Sequence, residues 1–316
     1  MKIHSSPSKP YDLEVGVDVA KLKLDIFYTD QFKKIPNKKS AIMEWLRPLK
    51  KRCPSLRVSC ESTGTYANTL IKACLQLKVP ISLLNPTMVK NFIRSEGRFA
   101  KTDRIDAKAI AAYASYHKPK CLEEEWLERD VLKQYHRRIE ALKQARANNK
   151  ASLDKYDSAD VRADIASDIK SQTRRIERLE AKIDAYIENH SELQQKRQIL
   201  EAVKGVGRAT SNALLLHMPE LGSINRRQVS ALAGLAPQHN DSGTFQGRRM
   251  IKGGRGSVRR CLYMAAVVTA TNNEKFKGSY QRLKLRGKPG KVAIIATARK
   301  LLIYLNTLLK NEPVKI

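Results

Sequence analysis

The chain has 316 residues, of which 60 are Lys or Arg and 31 are Asp or Glu, for a formal net charge of +29. With 42% apolar residues it can bury a sizeable core, which excludes a wholly disordered chain. The apolar run at 261–270 is about half the ~20 residues of a membrane span, and residues 1–10 lack the apolar stretch of a signal peptide. We therefore expect neither a membrane anchor nor a secretory signal.

The five cysteines are odd in number and never spaced as CxxC. This usage argues against a disulfide scaffold and against a zinc site. We therefore expect a soluble protein of the reducing cytoplasm.

Positive charge is concentrated in the two ends of the chain. Residues 1–120 carry 23 basic and 10 acidic side chains, residues 121–200 carry 16 of each, and residues 201–316 carry 21 and 5. Because phosphates neutralised by Lys and Arg release counterions, two basic blocks around a neutral one favour nucleic acid as the partner. A ribosome-style basic protein with solvated charge is the alternative.

Residues 1–120 alternate between strand and helix patterns, which indicates an α/β domain with a mixed sheet. Strands are predicted at 13–28 (two strands around a short break), 56–60 and 80–84. Helices are predicted at 41–50, 65–77 and 102–116, the last with Thr102 as its N-cap.

Residues 121–197 are predicted to form a long antiparallel coiled-coil hairpin, with a turn at 152–160. No Gly or Pro occurs in 123–150 or in 161–202, and the apolar spacing in the second stretch is that of one helix stripe. The arms would be about 35 and 40 residues long at most. The neutral charge of this region suits contact between proteins better than contact with phosphates.

Residues 198–316 are predicted to be mainly helical, with glycines between the helices. The last helix, 291–309, is apolar on most faces and is expected to lie in the core.

Carboxylates occur where strands and helices end. Asp18 lies in an apolar strand, Glu61 directly follows another, and Asp103 and Asp106 share one face of the 102–116 helix. Four such oxygen donors could hold two Mg²⁺ ions about 3.5–4 Å apart for work on a phosphodiester. Alternatively, Asp18 caps a turn and Asp103 favours a helix N-terminus. Three competing acids are close in sequence, namely Asp12, Glu14 and Asp25.

The segment 199–216 places Gly205 and Gly207 on either side of a valine between two helices. Outward-facing N–H groups of such a turn can bind a phosphate, with Lys204 and Arg208 beside it, as in a helix-hairpin-helix. An ordinary helix corner that uses Gly for packing is the alternative.

Ser242 lies in a turn-forming NDSG sequence and is followed by a cluster of basic residues with no acid between Asp241 and Arg260. A serine on a glycine-flanked turn beside arginines could act as a phosphoryl-accepting nucleophile, with His239 as a conceivable proton acceptor. The alternative is a plain turn serine and a surface histidine.

Several segments together resemble one known family over about 13–309. They are VGVDVAK (15–21), ESTGTY (61–66), LLNP (83–86), GRFAKTDRIDAKAIAAYA (97–114), VKGVGRA (203–209), LAGLAPQHNDSG (232–243), KGGRGSVRRCLY (252–263) and GKPGKVAIIATARKLL (287–302). The combination resembles the insertion-sequence-110-type transposases.

The resemblance implies an α/β plus all-α protein in three parts. Residues 1–120 would form a RuvC-like ribonuclease-H fold in which Asp18, Glu61, Asp103 and Asp106 bind Mg²⁺. Residues 121–197 would be the coiled coil, through which dimers and tetramers assemble. Residues 198–316 would be the transposase domain, with Ser242 as catalytic serine.

The resemblance further implies an RNA-guided DNA recombinase of a bacterial insertion sequence. The acidic site of one subunit would work with Ser242 of another, and a structured non-coding RNA would pair with donor and target double-stranded DNA. The residues that we expect to contact nucleic acid are Lys101, Arg104, Lys204, Gly205, Gly207, Arg208, Arg248, Arg249, Lys252, Arg255, Arg259 and Arg260.

Two other functions stay open at this point. A structure-specific Holliday-junction endonuclease would need the four carboxylates but not Ser242. A non-catalytic architectural binder of nucleic acid would need neither and would be indifferent to Mg²⁺.

Overall fold

The computed structural model describes residues 11–62, 64–95, 103–238 and 250–311, without the side chains at 103, 104 and 238. The chain divides into two compact units, Met1–Leu127 and Glu128–Ile316. The second unit holds both the segment predicted to be a coiled coil and the one predicted to be the last domain, and a continuous apolar core joins them. The division into three domains stays a prediction.

The first unit is built on one five-stranded sheet. Its strands are β1 (Leu13–Val19), β2 (Lys23–Tyr28), β3 (Gln31–Pro36), β4 (Leu56–Glu61) and β5 (Ile81–Leu84). Their order is β3-β2-β1-β4-β5. The first three strands are antiparallel, whereas β4 is parallel to β1 and β5 is parallel to β4. The prediction of a mixed sheet is therefore confirmed.

Strand β3 was not expected from the sequence. It is an edge strand in which only Ile35 is buried, so it lacks the apolar alternation of a half-buried strand. Thr29 and Asp30 connect it to β2 with φ values of 45° and 58°, as in a two-residue hairpin turn. The exposed lysines along this edge oppose pairing with another sheet.

Four helices accompany the sheet: α1 (Lys39–Arg52), α2 (Asn68–Gln76), α3 (Pro86–Ser95) and α4 (Asp103–His117). Helix α2 begins three residues later than expected, after a turn. Helix α3 was missed because its Asn-Pro start resembles a loop. Asn85 is in fact its N-cap, accepting the Thr87 N–H at 2.9 Å, and Pro86 takes the first helical position. The expected cap of α4, Thr102, lies outside the described residues.

Arg57 ties α4 to the sheet. Its guanidinium is 1% exposed, forms a two-pronged pair with Glu14 (3.0 and 2.6 Å) and lies under the Tyr11 ring. It also donates to the backbone carbonyls of Ala114 (2.7 Å) and Pro119 (2.9 Å) at the C-terminal end of α4. A buried charge needs such complete pairing, and here the pairing fixes the end of a helix.

The second unit is mainly helical, as expected. Its helices are α5 (Trp126–Ser152, which begins at the end of the first unit), α6 (Ala159–Glu188), α7 (Ser191–Glu201), α8 (Arg208–His217), α9 (Arg226–Leu232), α10 (Gly256–Asn272), α11 (Glu274–Leu285) and α12 (Gly290–Asn311). A two-stranded ribbon pairs β6 (Pro237–Gln238) with β7 (Met250–Ile251).

Helices α5 and α6 run antiparallel, since Lys143 pairs with Glu180 (2.8 Å) and Arg146 donates to Thr173 (3.1 Å). The second arm is shorter than its expected upper limit of about 40 residues, because α6 ends at Glu188 and α7 starts anew. The break has no Gly or Pro. It is held by Arg197, which reaches back from α7 to carboxylates at the end of α6.

Helix α12 is the core helix that the sequence predicted. Among the described residues it is also the one helix long and apolar enough to cross a membrane by composition, with half of its apolar window buried inside the protein. Its buried face includes Ala298, Leu301, Leu302 and Leu305, and these pack in the core of the second unit.

We expect Arg57→Ala to lower the free energy of unfolding by about 3–5 kcal/mol, because Glu14 and two carbonyls lose a buried charged partner. The matched control is Lys120→Ala, which breaks an exposed pair with Glu123 and should change stability by less than about 1 kcal/mol. Urea unfolding followed by circular dichroism compares the two variants. Equal losses would contradict the assigned role of Arg57.

Candidate functional site

Two of the predicted metal ligands lie side by side at the carboxyl ends of parallel strands. In the register of β1 and β4, Val17 pairs with Cys60, which places the next residues, Asp18 and Glu61, level with each other. Residues level in neighbouring strands face the same side of a sheet. Both carboxylates are partly exposed.

Helix α4 covers that side of the sheet and points its first turn toward the two carboxylates. A Cβ on Gly16 would lie 2.1 Å from the Ala107 carbonyl oxygen, so the helix touches the strand backbone there. The Arg57 guanidinium, held beside Glu14 near the start of β1, binds the Ala114 carbonyl. Because Ala107 lies over Gly16 and Ala114 nearer the start of the strand, α4 runs antiparallel to β1.

Asp103 and Asp106 therefore lie at the end of α4 that approaches Asp18 and Glu61. The side chain of Asp106 is partly exposed, and that of Asp103 is not among the described ones. Within the described part of the chain, no three His, Cys, Asp or Glu side chains are close enough together to hold a metal ion. The fold thus brings Asp18, Glu61 and the first turn of α4 to one end of the sheet, without closing the described carboxylates around an ion.

A further carboxylate, Asp25, lies opposite Asp18 in the β1–β2 register. It is fully buried, with Lys23 Nζ at 3.1 Å and Lys34 Nζ at 3.3 Å from its oxygens. These two ammonium groups neutralise it from neighbouring positions in β2 and β3. The structure therefore gives this competing acid a pairing role in the hairpin.

Ser242, His239, Arg248 and Arg249 lie outside the described residues, as does Lys101 of the first unit. The structure does describe the base of the segment that holds the serine, where Gln238 of β6 pairs with Met250 of β7. A groove of about 1380 Å³, lined largely by apolar side chains of the ribbon, α10 and α12, opens beside this base.

Two glycine turns interlock beneath the ribbon. Gly234 and Gly254 both have φ of +66°, and a Cβ on Gly254 would lie 2.2 Å from the Gly234 nitrogen. Arg259 donates to the Gly253 carbonyl at 2.7 Å, and the Arg255 N–H donates to the Leu232 carbonyl at 2.8 Å. Only glycine fits this backbone-to-backbone contact, which fixes the two ends of the serine segment relative to each other.

The basic residues after the serine segment are engaged to different degrees. Arg255 forms a two-pronged pair with Glu220 (2.6 Å for both bonds) and donates to the His217 carbonyl (2.8 Å). Burial raises the pKa of Glu220, but the Arg255 hydrogen bond, a backbone hydrogen bond and the nearby charges of Arg255 and Lys133 together outweigh it and leave the pKa lowered. Arg260 approaches Glu140 at 3.9 Å, and Lys252 is exposed. These contacts give Arg255 a structural role.

Buried His136 and partly exposed His217 form a pair next to Arg255, with 3.2 Å between their facing ring nitrogens. Burial, and then the neighbouring His136, lowers the pKa of His217 to about 3. Burial also lowers the pKa of His136. Both imidazoles are therefore neutral at pH 7, as expected for side chains in the packing contact between α5 and α8.

The predicted phosphate-binding turn lies between α7 and α8. Gly205 has φ of +100°, and a Cβ there would lie 2.4 Å from the Thr269 Cγ2, so packing requires this glycine. Gly207 has open space around it, and Lys204 is exposed. Arg208 is bound by Asp184 and Glu188, both at 2.8 Å, and the hydrogen bond to Asp184 raises its pKa. The alternative, in which a helix corner uses glycine for packing, therefore explains the glycine at position 205 but not the one at position 207.

Two family models match the chain. Residues 15–156 match a transposase model of the DEDD-type IS110 class. Residues 197–281 match the model described as "Transposase IS116/IS110/IS902 family". Together they cover well over half of the chain, including the carboxylate end of the sheet and the serine segment.

Curated relatives agree over nearly the full length. The pilin gene-inverting proteins of Moraxella bovis and Moraxella lacunata are each 26% identical, over 97% of this chain and 98% of their own. A 43.6 kDa protein of the IS110 element of Streptomyces coelicolor is 28% identical over 42% of this chain and 32% of its own. Among solved structures, Thermus thermophilus RuvC with a Holliday junction substrate is 14% identical, with a TM-score of 0.29 over 35% of this chain and 99% of RuvC.

We expect Gly254→Ala to destabilise the second unit by about 1–3 kcal/mol more than Gly253→Ala does, because its methyl group would overlap the Gly234 backbone. Gly253 is the matched control: its φ is +69°, so both variants share the backbone strain, but no atom lies within 4 Å of its Cβ position. Thermal unfolding of the two variants measures the difference. Equal melting temperatures would contradict the interlocked turns.

Proposed function

The chain belongs to the IS110 family of transposases and is a DNA transposase or recombinase, and on that premise we propose that a structured guide RNA directs its exchange of DNA strands. The reaction depends on Mg²⁺ and passes through a covalent phosphoserine on Ser242. The observation that carries this proposal is the end of α4, where Asp103 and Asp106 approach Asp18 and Glu61. Gene inversion, for which the Moraxella relatives are named, is strand exchange of the same class.

A RuvC-like ribonuclease-H fold is proposed for residues 1–120. The support is the sheet itself, with three antiparallel strands followed by two parallel ones and α4 lying across one face. In α/β sheets, functional groups collect at the carboxyl ends of the strands. Asp18 and Glu61 lie at that end, and the start of α4, which carries Asp103 and Asp106, approaches it.

The donor chemistry fits Mg²⁺. Asp18, Glu61, Asp103 and Asp106 are all hard oxygen donors, which Mg²⁺ prefers over the nitrogen and sulfur ligands of zinc sites. When bound, the ion supplies positive charge that stabilises the charge developing on a phosphodiester. The close contact of α4 with Gly16 and the hydrogen bonds from Arg57 to the end of α4 hold the helix that carries Asp103 and Asp106.

The chemical step proposed for Ser242 is a transesterification. Its Oγ forms a bond to phosphorus, the bond from phosphorus to the leaving deoxyribose oxygen breaks, and the serine proton ends on that oxygen. The phosphoserine keeps the bond energy, and the hydroxyl of an incoming strand reverses the exchange and releases the serine. The anchored ends of the 239–249 segment support this role because a nucleophile must be held in position.

The predicted nucleic-acid contacts divide into two groups. Lys204, Gly207 and Lys252 are exposed, and with Lys101, Arg104, Arg248 and Arg249 they are proposed to bind phosphates. Gly205, Arg208, Arg255, Arg259 and Arg260 have intramolecular contacts and are proposed to shape the surface around them.

Guidance by RNA is supported by composition. The net charge is +29 while only 6% of residues are aromatic, so the chain is suited to binding backbones and poor in groups that stack on bases. Base pairing between the guide RNA and the donor and target DNA would supply the sequence recognition that the side chains lack. We propose that the protein acts in the bacterial cytoplasm, at the nucleoid.

Assembly through the α5–α6 hairpin into dimers and tetramers is the remaining part of the proposal. The hairpin region is neutral overall, and Val131, Tyr156 and Val161 are exposed on it. The carboxylates belong to the first unit and the serine to the second, so one subunit could contribute the acids and another the serine to a composite site.

We expect Ser242→Ala to abolish strand exchange and the protein–DNA adduct while leaving RNA and DNA binding intact, because only the nucleophile is lost. Asp106→Asn should stop cleavage as well. Mixing the two inactive variants should restore about a quarter to a half of the activity if composite sites form between subunits. Denaturing gels of end-labelled DNA measure the adduct, and sequencing of the products measures exchange.

Recombination by Ser242→Ala would overturn the assignment of the nucleophile. Hydrolysed ends without an adduct would instead indicate a junction endonuclease. Failure of the mixture to recover any activity would contradict the composite site.

We expect one discrete RNA, encoded beside the gene, to copurify with the protein when it is expressed with its native flanking DNA. Sequencing of the bound RNA tests this. A smear of host RNA, or none, would contradict guidance and leave a protein-only enzyme or an architectural binder.

A further inference from the structure

The C-terminal part of the second unit carries a strongly basic surface that the contacts assigned above do not include. Ten Lys or Arg residues and no Asp or Glu occur between Lys275 and Lys310. Most of them lie on α11 and on its turn into α12. The exposed ones at the turn are Arg282, Lys284, Arg286, Lys288 and Lys291. The segment Lys284–Lys288 is called the α11 tip below.

These cations have no acidic partner among the described residues. Lys275 lies over the Tyr304 ring, with its Nζ 3.6 Å from the ring centre. Arg282 and Lys300 both donate to the Ser279 hydroxyl, at 3.2 and 2.9 Å. Two like charges held by one neutral oxygen repel each other, and an anion bound beside them would relieve the repulsion.

The α11 tip is an ordered turn. Gly287 has φ of +71°, its N–H donates to the Lys284 carbonyl (2.9 Å), and the Lys288 N–H donates to the Leu283 carbonyl (3.1 Å). This is a Schellman ending, and Pro289 follows it. The tip is therefore held in one conformation before any partner binds, which lowers the entropy lost on binding.

Leu285 projects from the centre of the tip. At 88% exposure it is the most exposed large apolar side chain of the described residues. The apolar contact that commonly accompanies a Schellman ending joins the residue after the glycine, here Lys288, to the position of Leu283, so it does not involve Leu285. An exposed leucine surrounded by Lys284, Arg286 and Lys288 suits a partner that is anionic outside and apolar inside.

We propose that the α11 tip is a wedge for duplex DNA, in which its cations bind phosphates on both sides of the minor groove and Leu285 enters between two base pairs. Apolar side chains of this size are inserted into the minor groove by DNA-bending proteins, which unstack and kink a base step. Duplex RNA fits less well because its minor groove is wide and shallow. The proposal rests on the proposed function only in taking DNA as the partner.

The test uses full-length protein in EDTA, with a DNA duplex that carries 2-aminopurine, whose fluorescence rises when its base step opens. Because no cleavage is measured, the outcome does not depend on the recombinase mechanism. We expect wild-type protein to raise the fluorescence. Leu285→Ala should lose that rise and bind about tenfold more weakly, with an unchanged salt dependence. Leu285→Met should retain both properties, and Leu22→Ala, another exposed leucine, should behave as wild type.

The cations are tested separately from the leucine. The triple variant Lys284→Gln, Arg286→Gln, Lys288→Gln should lower the slope of log affinity against log salt by about 2–3, because each lost phosphate contact contributes about 0.9. The matched control replaces Arg47, Lys51 and Arg52, three exposed cations of α1, by Gln, and should leave the slope unchanged.

Three results would overturn the proposal. One is wild-type fluorescence and affinity in Leu285→Ala. Another is an equal effect of Leu285 on duplex RNA of the same sequence. The third is Leu285-dependent binding to phosphatidylserine vesicles with no such dependence on DNA, which would make the tip a membrane contact.

Discussion

The placement of the candidate carboxylates depends on a contact of α4 with the backbone of β1. At Gly16 the helix approaches so closely that a single methyl group would overlap the Ala107 carbonyl oxygen. This contact sets the height of α4 above the sheet, and the Arg57 pairs at its far end set its position along the strand. These two constraints together fix the position of Asp106, because Asp106 directly precedes Ala107. No long side chain at the site is needed to bring it toward Asp18 and Glu61.

In the second unit, backbone contacts likewise anchor a candidate functional segment. The segment that contains Ser242 starts and ends on a short ribbon, and its base is locked by glycine turns whose backbones touch. Arginines beside it are held by Glu220, Glu140 and neighbouring carbonyls. Part of the positive charge that composition alone would assign to phosphate binding therefore maintains the fold. A larger group of cations without an acidic partner among the described residues lies on α11 and on its turn into α12.

The sequence predicted those parts of the fold whose apolar pattern is local. The buried strands β1, β4 and β5 and the core helix α12 have such patterns. The edge strand β3 buries one residue and carries almost no periodic signal. The short helix α3 does have an apolar stripe, with Met88, Val89, Phe92 and Ile93 at helical spacing, but its Asn-Pro start resembles a loop. The break between α6 and α7 depends on Arg197 reaching across a turn, which is tertiary information. In the site, the positions of Asp18 and Glu61 at strand ends were predictable. The role of Gly16 was signalled only by a glycine in an apolar strand.

The partners of Arg57 come from both ends of the first unit, with Glu14 near its start and the carbonyls of Ala114 and Pro119 near its finish. All five strands have left the ribosome about thirty residues before those carbonyls do, at ordinary elongation rates of about 5–20 residues per second. A nascent chain therefore passes through a stage of several seconds in which all five strands have been synthesised but α4, which covers one face of the sheet, has not been completed. In that interval Arg57 lacks the carbonyls that later surround it, and the apolar side of the sheet is available to chaperones. The Arg57 contacts that fix α4 over the sheet form only after Pro119 has been synthesised, so a growing chain cannot assemble the candidate site before its first unit is finished.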